Sequence, residues 1–78
     1  MERHPVILSI AGSDCSGGAG IQADIKTISA LGGYAASAIT AITIQNTLGV
    51  RAVQSIAPDI VRGQIEAVMD DLQPVAIK

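Results

Sequence analysis

Aromatic side chains are almost missing from this chain: Tyr34 is the only one, and there is no Phe or Trp. Whatever core forms must therefore be aliphatic, drawn from the Ala, Ile, Val and Leu that make up most of a 49 % hydrophobic composition. Such a composition suits helices packed on a parallel sheet whose strands are buried on both faces. A single cysteine, Cys15, excludes an internal disulfide, and no second Cys or clustered His suggests metal ligands. The compartment implied is a reducing one.

Positive charge is also scarce. The five basic residues (Arg3, Lys26, Arg51, Arg62 and Lys78) are scattered and the formal net charge is -2, so there is no footprint for nucleic acid or an acidic lipid surface. Residues 1–5 lack the charged start and long apolar stretch of a secretory signal, and the aliphatic runs are too short or too interrupted to span a bilayer. The expectation is a soluble, cytoplasmic protein. With 78 residues the chain fits within one domain. A chain of this size buries only roughly 60–65 % of its unfolded surface, so its core is modest.

Residues 5–11 form a short aliphatic run that ends at Gly12 and predicts a strand buried on both faces. The stretch from Gly12 to Gly20 is too rich in Gly and small polar residues for regular structure and predicts a loop. It opens onto a helix of about eleven residues carrying Ile21, Ile25 and Ile28, with Leu31 alongside, stopped by Gly32-Gly33. A second run, about 35–45, is too rich in Ile and Thr to prefer a helix and predicts a central strand, with Tyr34 packing at its start. Residues 50–56 predict a more polar strand, antiparallel to its predecessor because the connection is short, at the sheet edge. Pro58-Asp59 opens a second helix with Val61, Ile65, Val68 and Leu72 on one face, ended by Gln73-Pro74. Residues 75–78 begin a further strand without a turn signal, so the chain reads as truncated after Lys78. Alternating strands and helices imply a mainly parallel sheet with right-handed crossovers.

The glycine loop matches neither familiar nucleotide motif. Gly12 and Gly17 have Walker A separation, but Gly18-Ala19 stand where Lys and Ser/Thr are required. Gly18-Ala19-Gly20-Ile21-Gln22-Ala23 satisfies G-x-G-x-x-A, yet the predicted strand ends well before the glycines. No acid lies between Asp24 and Asp59 to take a ribose, so a dinucleotide-binding half-domain is the weaker alternative. Two readings of the loop stay open: free backbone amides offered to an anion or ligand, or a tight strand-to-helix connection.

On a helical wheel from Ile21, Asp24 falls at about 300°, inside the arc of Ile25, Ile28 and Leu31 at about 40°, 340° and 280°. A carboxylate facing the sheet needs donors or a ligand, unless the helix dipole and the glycine loop alone account for it. Gln45 closes the central strand at its carboxyl end, where open α/β sheets bind ligands. Its carboxamide pairs a donor with an acceptor, as an aminopyrimidine requires, although a lone Gln at a strand end is also consistent with a solvated terminus. Cys15 has no basic neighbour to activate it and His4 reads as a solvated end residue. Asp70-Asp71 reads as a helix surface pair, and Asn46 and Thr47 as turn residues.

Ala11-Gly12-Ser13-Asp14, then Ser16-Gly17-Gly18-Ala19-Gly20-Ile21-Gln22-Ala23-Asp24-Ile25-Lys26-Thr27, then Thr40-Ala41 and Gln45-Asn46-Thr47-Leu48-Gly49-Val50, together resemble the hydroxymethylpyrimidine kinases. The resemblance spans nearly the whole chain. It implies the N-terminal part of a ribokinase-like three-layer α/β sandwich with a mainly parallel central sheet, residues 1–78 forming one portion of a single kinase domain. It implies a substrate site in which Gln45 binds the pyrimidine ring and amino group, Asp24 helps hold the polar substituents, and Gly12 and Thr43 line the pocket. It further implies ATP and Mg2+ as cofactors, held like the catalytic residues by a C-terminal half outside these residues. The activity implied is phosphorylation of 4-amino-5-hydroxymethyl-2-methylpyrimidine and its monophosphate, with a pyridoxal kinase-like specificity as the near alternative. The 78 residues alone are then an inactive structural piece, with an unpaired sheet edge that favours self-association or a homodimer.

Overall fold

The computed structural model describes residues 4–78; Arg3 and the start of the N-terminal segment lie outside the described residues. Six elements follow one another: β1 (Val6–Asp14), α1 (Gly20–Ala30), β2 (Tyr34–Asn46), β3 (Gly49–Ser55), α2 (Pro58–Asp71) and β4 (Ala76–Ile77). They build a four-stranded sheet in the order β3-β2-β1-β4. β1 pairs in parallel with both β2 and β4, and only the β2–β3 hairpin is antiparallel.

Side chains alternate across a strand, and β1 is buried on both sides: Leu8 and its neighbour Ser9 are both 0 % exposed. On the Leu8 face, Ala36, Ala38, Val6 and Ile10 pack with Ile65 and Val68 of α2. On the Ser9 face lies α1, whose Ile21 and Ile28 are buried. Helices therefore cover both faces of the sheet. The chain leaves β1 for β2 on one side and returns from β3 to β4 on the other, so the connections diverge at β1, the position beside which open α/β sheets form their ligand crevice.

Three local features differ from the sequence reading. β1 does not stop at Gly12 but runs through Ser13 and Asp14, because β2 gives it a partner there: Ser13 pairs with Ile42 and Asp14 with Thr43 after a register shift. The irregular connection is thus only residues 15–19. Ile25 and Leu31 are 38 % and 83 % exposed, since Leu31 is already the C-cap residue and the sheet reaches only the Ile21–Ile28 side of α1. Tyr34 starts β2 but stays half exposed.

The helix ends obey local chemistry. Gly32 takes a left-handed φ of 88° after α1, and the Gly33 N–H reaches the Ile28 carbonyl at 2.9 Å, a Schellman closure. α2 begins with Pro58 and Asp59 in its first turn. The Asn46 side-chain oxygen accepts from the Leu48 N–H at 2.8 Å and shapes the β2–β3 turn. β3 is exposed along its whole length at the sheet edge. Among the described residues no helix is long and apolar enough to cross a membrane.

Candidate functional site

A shallow pocket of about 160 Å³ lies beyond the carboxyl ends of β1 and β2. Gly12, Ser13 and Asp14 of β1, Ala19 and Gly20 at the mouth of α1, and Thr43 and Gln45 of β2 line it. Drug-sized sites span roughly 300–1,000 Å³, so this cavity suits a single small ring. Of the four residues singled out as substrate contacts, the structure brings Gly12, Thr43 and Gln45 together here.

The β2 residues come into place through the register shift. Ala11 lies opposite Ile39 but Ser13 lies opposite Ile42, so β2 gains one residue on β1 just before the pocket. The Thr43 hydroxyl then donates to the Ser13 carbonyl at 2.7 Å. Just upstream of the shift, the Gln64 carboxamide from α2 takes the Ile39 N–H at 2.9 Å and donates to the Ile39 carbonyl at 3.0 Å, replacing a strand partner. The Cys15 thiol donates to the Gln45 carbonyl at 3.0 Å and ties the loop to the end of β2.

The glycine loop is organised around Asp14, which is 5 % exposed. One carboxylate oxygen accepts from the Ser16 N–H at 2.8 Å and the Ser16 hydroxyl at 2.6 Å. The other accepts from the N–H groups of Gly18 at 3.1 Å and Ala19 at 2.9 Å. The Ser16 hydroxyl, followed by the backbone N–H groups of Ser16, Ala19 and Gly18, holds the Asp14 carboxyl below its ordinary value of 3.8 against the opposing effect of burial. Of the two readings of the loop, the tight connection is therefore the one realised at Gly18 and Ala19: their amides serve an anion that belongs to the chain itself. Gln22 completes the turn from inside α1, its carboxamide accepting from the Asp14 N–H at 2.8 Å and donating to the Ser13 hydroxyl at 2.8 Å.

Asp24 faces the sheet, as its place on the wheel requires, with its side chain 13 % exposed. It is not among the pocket-lining residues. The Ser9 hydroxyl donates to its carboxylate at 2.6 Å, and Lys78, following β4, approaches it at 3.0 Å. The Ser9 hydrogen bond first, then Lys78 by hydrogen bond and charge, holds this carboxyl below 3.8 despite desolvation. Asp24 thus ties α1 to β1 through Ser9 and to the end of β4 through Lys78. Asp70 and Asp71 are exposed on α2. The exposed His4 ring lies 3.0 Å from the Gly32 carbonyl through Nδ1.

Asp14, Gln22, Ser9 and Lys78 were missed as site-shaping residues. Asp14 carried a usable signal, since an Asp at a strand end followed by Ser-Gly-Gly is the residue type that captures nearby backbone N–H groups. Ser9 and Lys78 carried none, because their meeting with Asp24 is made by sheet order.

The residues present do not fit a nucleotide phosphate or its magnesium ion. The Asp14 carboxylate takes the loop N–H groups of Ser16, Gly18 and Ala19, and no group of three His, Cys, Asp or Glu among the described residues is placed to hold a metal. The loop N–H groups of Gly18 and Ala19 are likewise already taken and not free for a dinucleotide pyrophosphate.

Comparison with known proteins gives one consistent result. The family model described as phosphomethylpyrimidine kinase matches residues 14–78. A hydroxymethylpyrimidine/phosphomethylpyrimidine kinase of Rhizobium meliloti is 62 % identical over 73 residues, covering 94 % of this chain and 27 % of that protein. The crystal structure of the phosphomethylpyrimidine kinase of Clostridium difficile superimposes with a TM-score of 0.91 at 59 % identity, over 94 % of this chain and 32 % of that one. The pyridoxal kinase of Staphylococcus aureus in complex with AMP-PCP is more distant in sequence, at 37 % identity and a TM-score of 0.86 over 97 % of this chain and 28 % of that one. The chain thus spans about 27 % of the length of the curated relative it matches. Its sheet is that of ribokinase-like kinases, and with the family model covering Asp14 to Lys78, the chain belongs to the phosphomethylpyrimidine kinase family.

Proposed function

We propose that residues 1–78 form the N-terminal portion of a single ribokinase-like kinase domain. In its full-length cytoplasmic enzyme, that domain phosphorylates 4-amino-5-hydroxymethyl-2-methylpyrimidine and then its monophosphate with ATP and Mg2+. The observation that carries this reading is the convergence of Gly12, Thr43 and Gln45 on one small pocket at the carboxyl ends of β1 and β2. Gln45 offers its carboxamide to the ring nitrogen and amino group; Gly12 and Thr43 bound the ring. Asp24, one helical turn along α1 from the Gly20 wall, is assigned to the polar substituents. ATP, Mg2+ and the catalytic groups are assigned to the remainder of the enzyme, because the loop N–H groups of Gly18 and Ala19 already serve Asp14.

The test is Gln45→Ala in the full-length enzyme. Losing a paired donor and acceptor raises the pyrimidine KM about tenfold, with the ATP KM unchanged; wild-type kinetics would remove the assignment. Side-by-side turnover of the pyrimidine and pyridoxal separates the main reading from its near relative. The 78-residue chain by itself is expected to be blank in kinase assays. Its exposed Ile42, Ile44 and Val53 support self-association, which a compact monomer in sedimentation would contradict.

A further inference from the structure

Asp14 lines the pocket, yet its carboxylate is directed at the loop that forms the opposite wall. Two oxygens take four donors, Ser16 N–H and hydroxyl on one, Gly18 and Ala19 N–H on the other. Only a carboxylate satisfies all four, because an amide of the same shape would turn an NH2 toward one donor pair. The two residues that follow Gly18 on the clamp, Ala19 and Gly20, are the pocket wall contributed by α1. Gly20 in turn packs on the Gly12 carbonyl, so a shift of the loop moves the floor of the pocket as well.

We propose that Asp14 is the positioning residue of this pocket, a built-in anion that presets the Ala19–Gly20 wall before substrate arrives by gathering the loop N–H groups of Ser16, Gly18 and Ala19. Without it, the loop must be ordered by the substrate, and the cost appears in binding, not in the chemical step. The proposal rests on the pyrimidine reading for its kinetic arm only.

The experiment uses the full-length enzyme with Asp14→Ala and Asp14→Asn. In both variants the pyrimidine KM rises about tenfold while kcat and the ATP KM stay within about twofold. Added formate, a carboxylate small enough to replace the missing group, recovers at least about threefold of that KM in Asp14→Ala and none in Asp14→Asn, whose amide fills the space. Matched chloride does nothing. A second arm needs no substrate: Cys15 is held by its hydrogen bond to Gln45, so a loosened loop is alkylated by iodoacetamide several times faster, about threefold or more, and formate slows it again in Asp14→Ala. Unchanged KM and unchanged labelling overturn the proposal, as does a fall in kcat with KM intact. Failure of both variants to fold overturns it too, since Asp14 would then serve the fold and not the site. Altered labelling with no pyrimidine turnover in the wild type would instead keep the clamp and remove the substrate assignment.

Discussion

Gly20 opens helix α1 directly against the carbonyl of Gly12, so closely that a Cβ at position 20 would overlap that oxygen. Its φ of 59° adds a backbone conformation that other residues adopt at a cost. The helix mouth can rest on the end of β1, and the pocket can exist between them, only because this position carries no side chain. Gly20→Ala is expected to destabilise the full-length protein by at least about 1–3 kcal/mol from the backbone alone, with steric displacement in addition. A urea midpoint equal to wild type would contradict this.

Gly63 is the opposite case. It sits inside α2, and a Cβ there meets nothing within 4 Å. Gly63→Ala should therefore stabilise by about 0.5–1 kcal/mol, because the unfolded chain loses freedom and the folded one loses nothing. Thermal or urea unfolding of the same protein reads the gain directly.

Gln64, the next residue, serves the Ile39 backbone at both its N–H and its carbonyl. Gln64→Leu keeps the size of the side chain but leaves two part-buried backbone groups without that partner, a loss of about 1–3 kcal/mol. Amide exchange at Ile39 should quicken in the variant, whereas Gln64→Glu, which keeps one acceptor, should protect it in part.

Acid should loosen the site through two carboxylates. Asp14 and Asp24 are both held below 3.8 in the folded protein, Asp14 chiefly by Ser16 and Asp24 chiefly by Ser9. Since the unfolded chain binds these protons more readily, the stability they contribute is complete above an unfolded carboxyl value of about 4 and is lost as pH falls through the lower folded values. Urea midpoints taken from pH 6 down to pH 3, at intervals of about half a unit, should fall less steeply in Asp24→Asn than in wild type. Equal slopes would show that Asp24 carries none of the dependence.

Much of the architecture was legible because local rules and the tertiary structure agree. Pro58, Gly32 and Asn46 sit at a helix start, a helix stop and a hairpin turn for reasons of their own backbone chemistry. The aliphatic run around Leu8 and Ser9 announced a strand covered on both faces, and the short 46–49 connection announced an antiparallel edge. Where the reading failed, a partner supplied what the residues lacked. Gly12-Ser13-Asp14 has loop composition and becomes strand because Ile42 and Thr43 lie beside it, and Leu31 belongs to the apolar arc of α1 but lies past the helix end.

The candidate site divides in the same way. That Gln45 ends a strand and that Asp24 faces inward follow from period and position in the chain, which are properties of a sequence. That Asp14 gathers the glycine loop is local as well, its donors lying two to five positions on, whereas Ser9 and Lys78 meet Asp24 across 15 and 54 positions. Local preference acts over a few residues, and only the register and order of the sheet decide which distant side chains share a hydrogen bond.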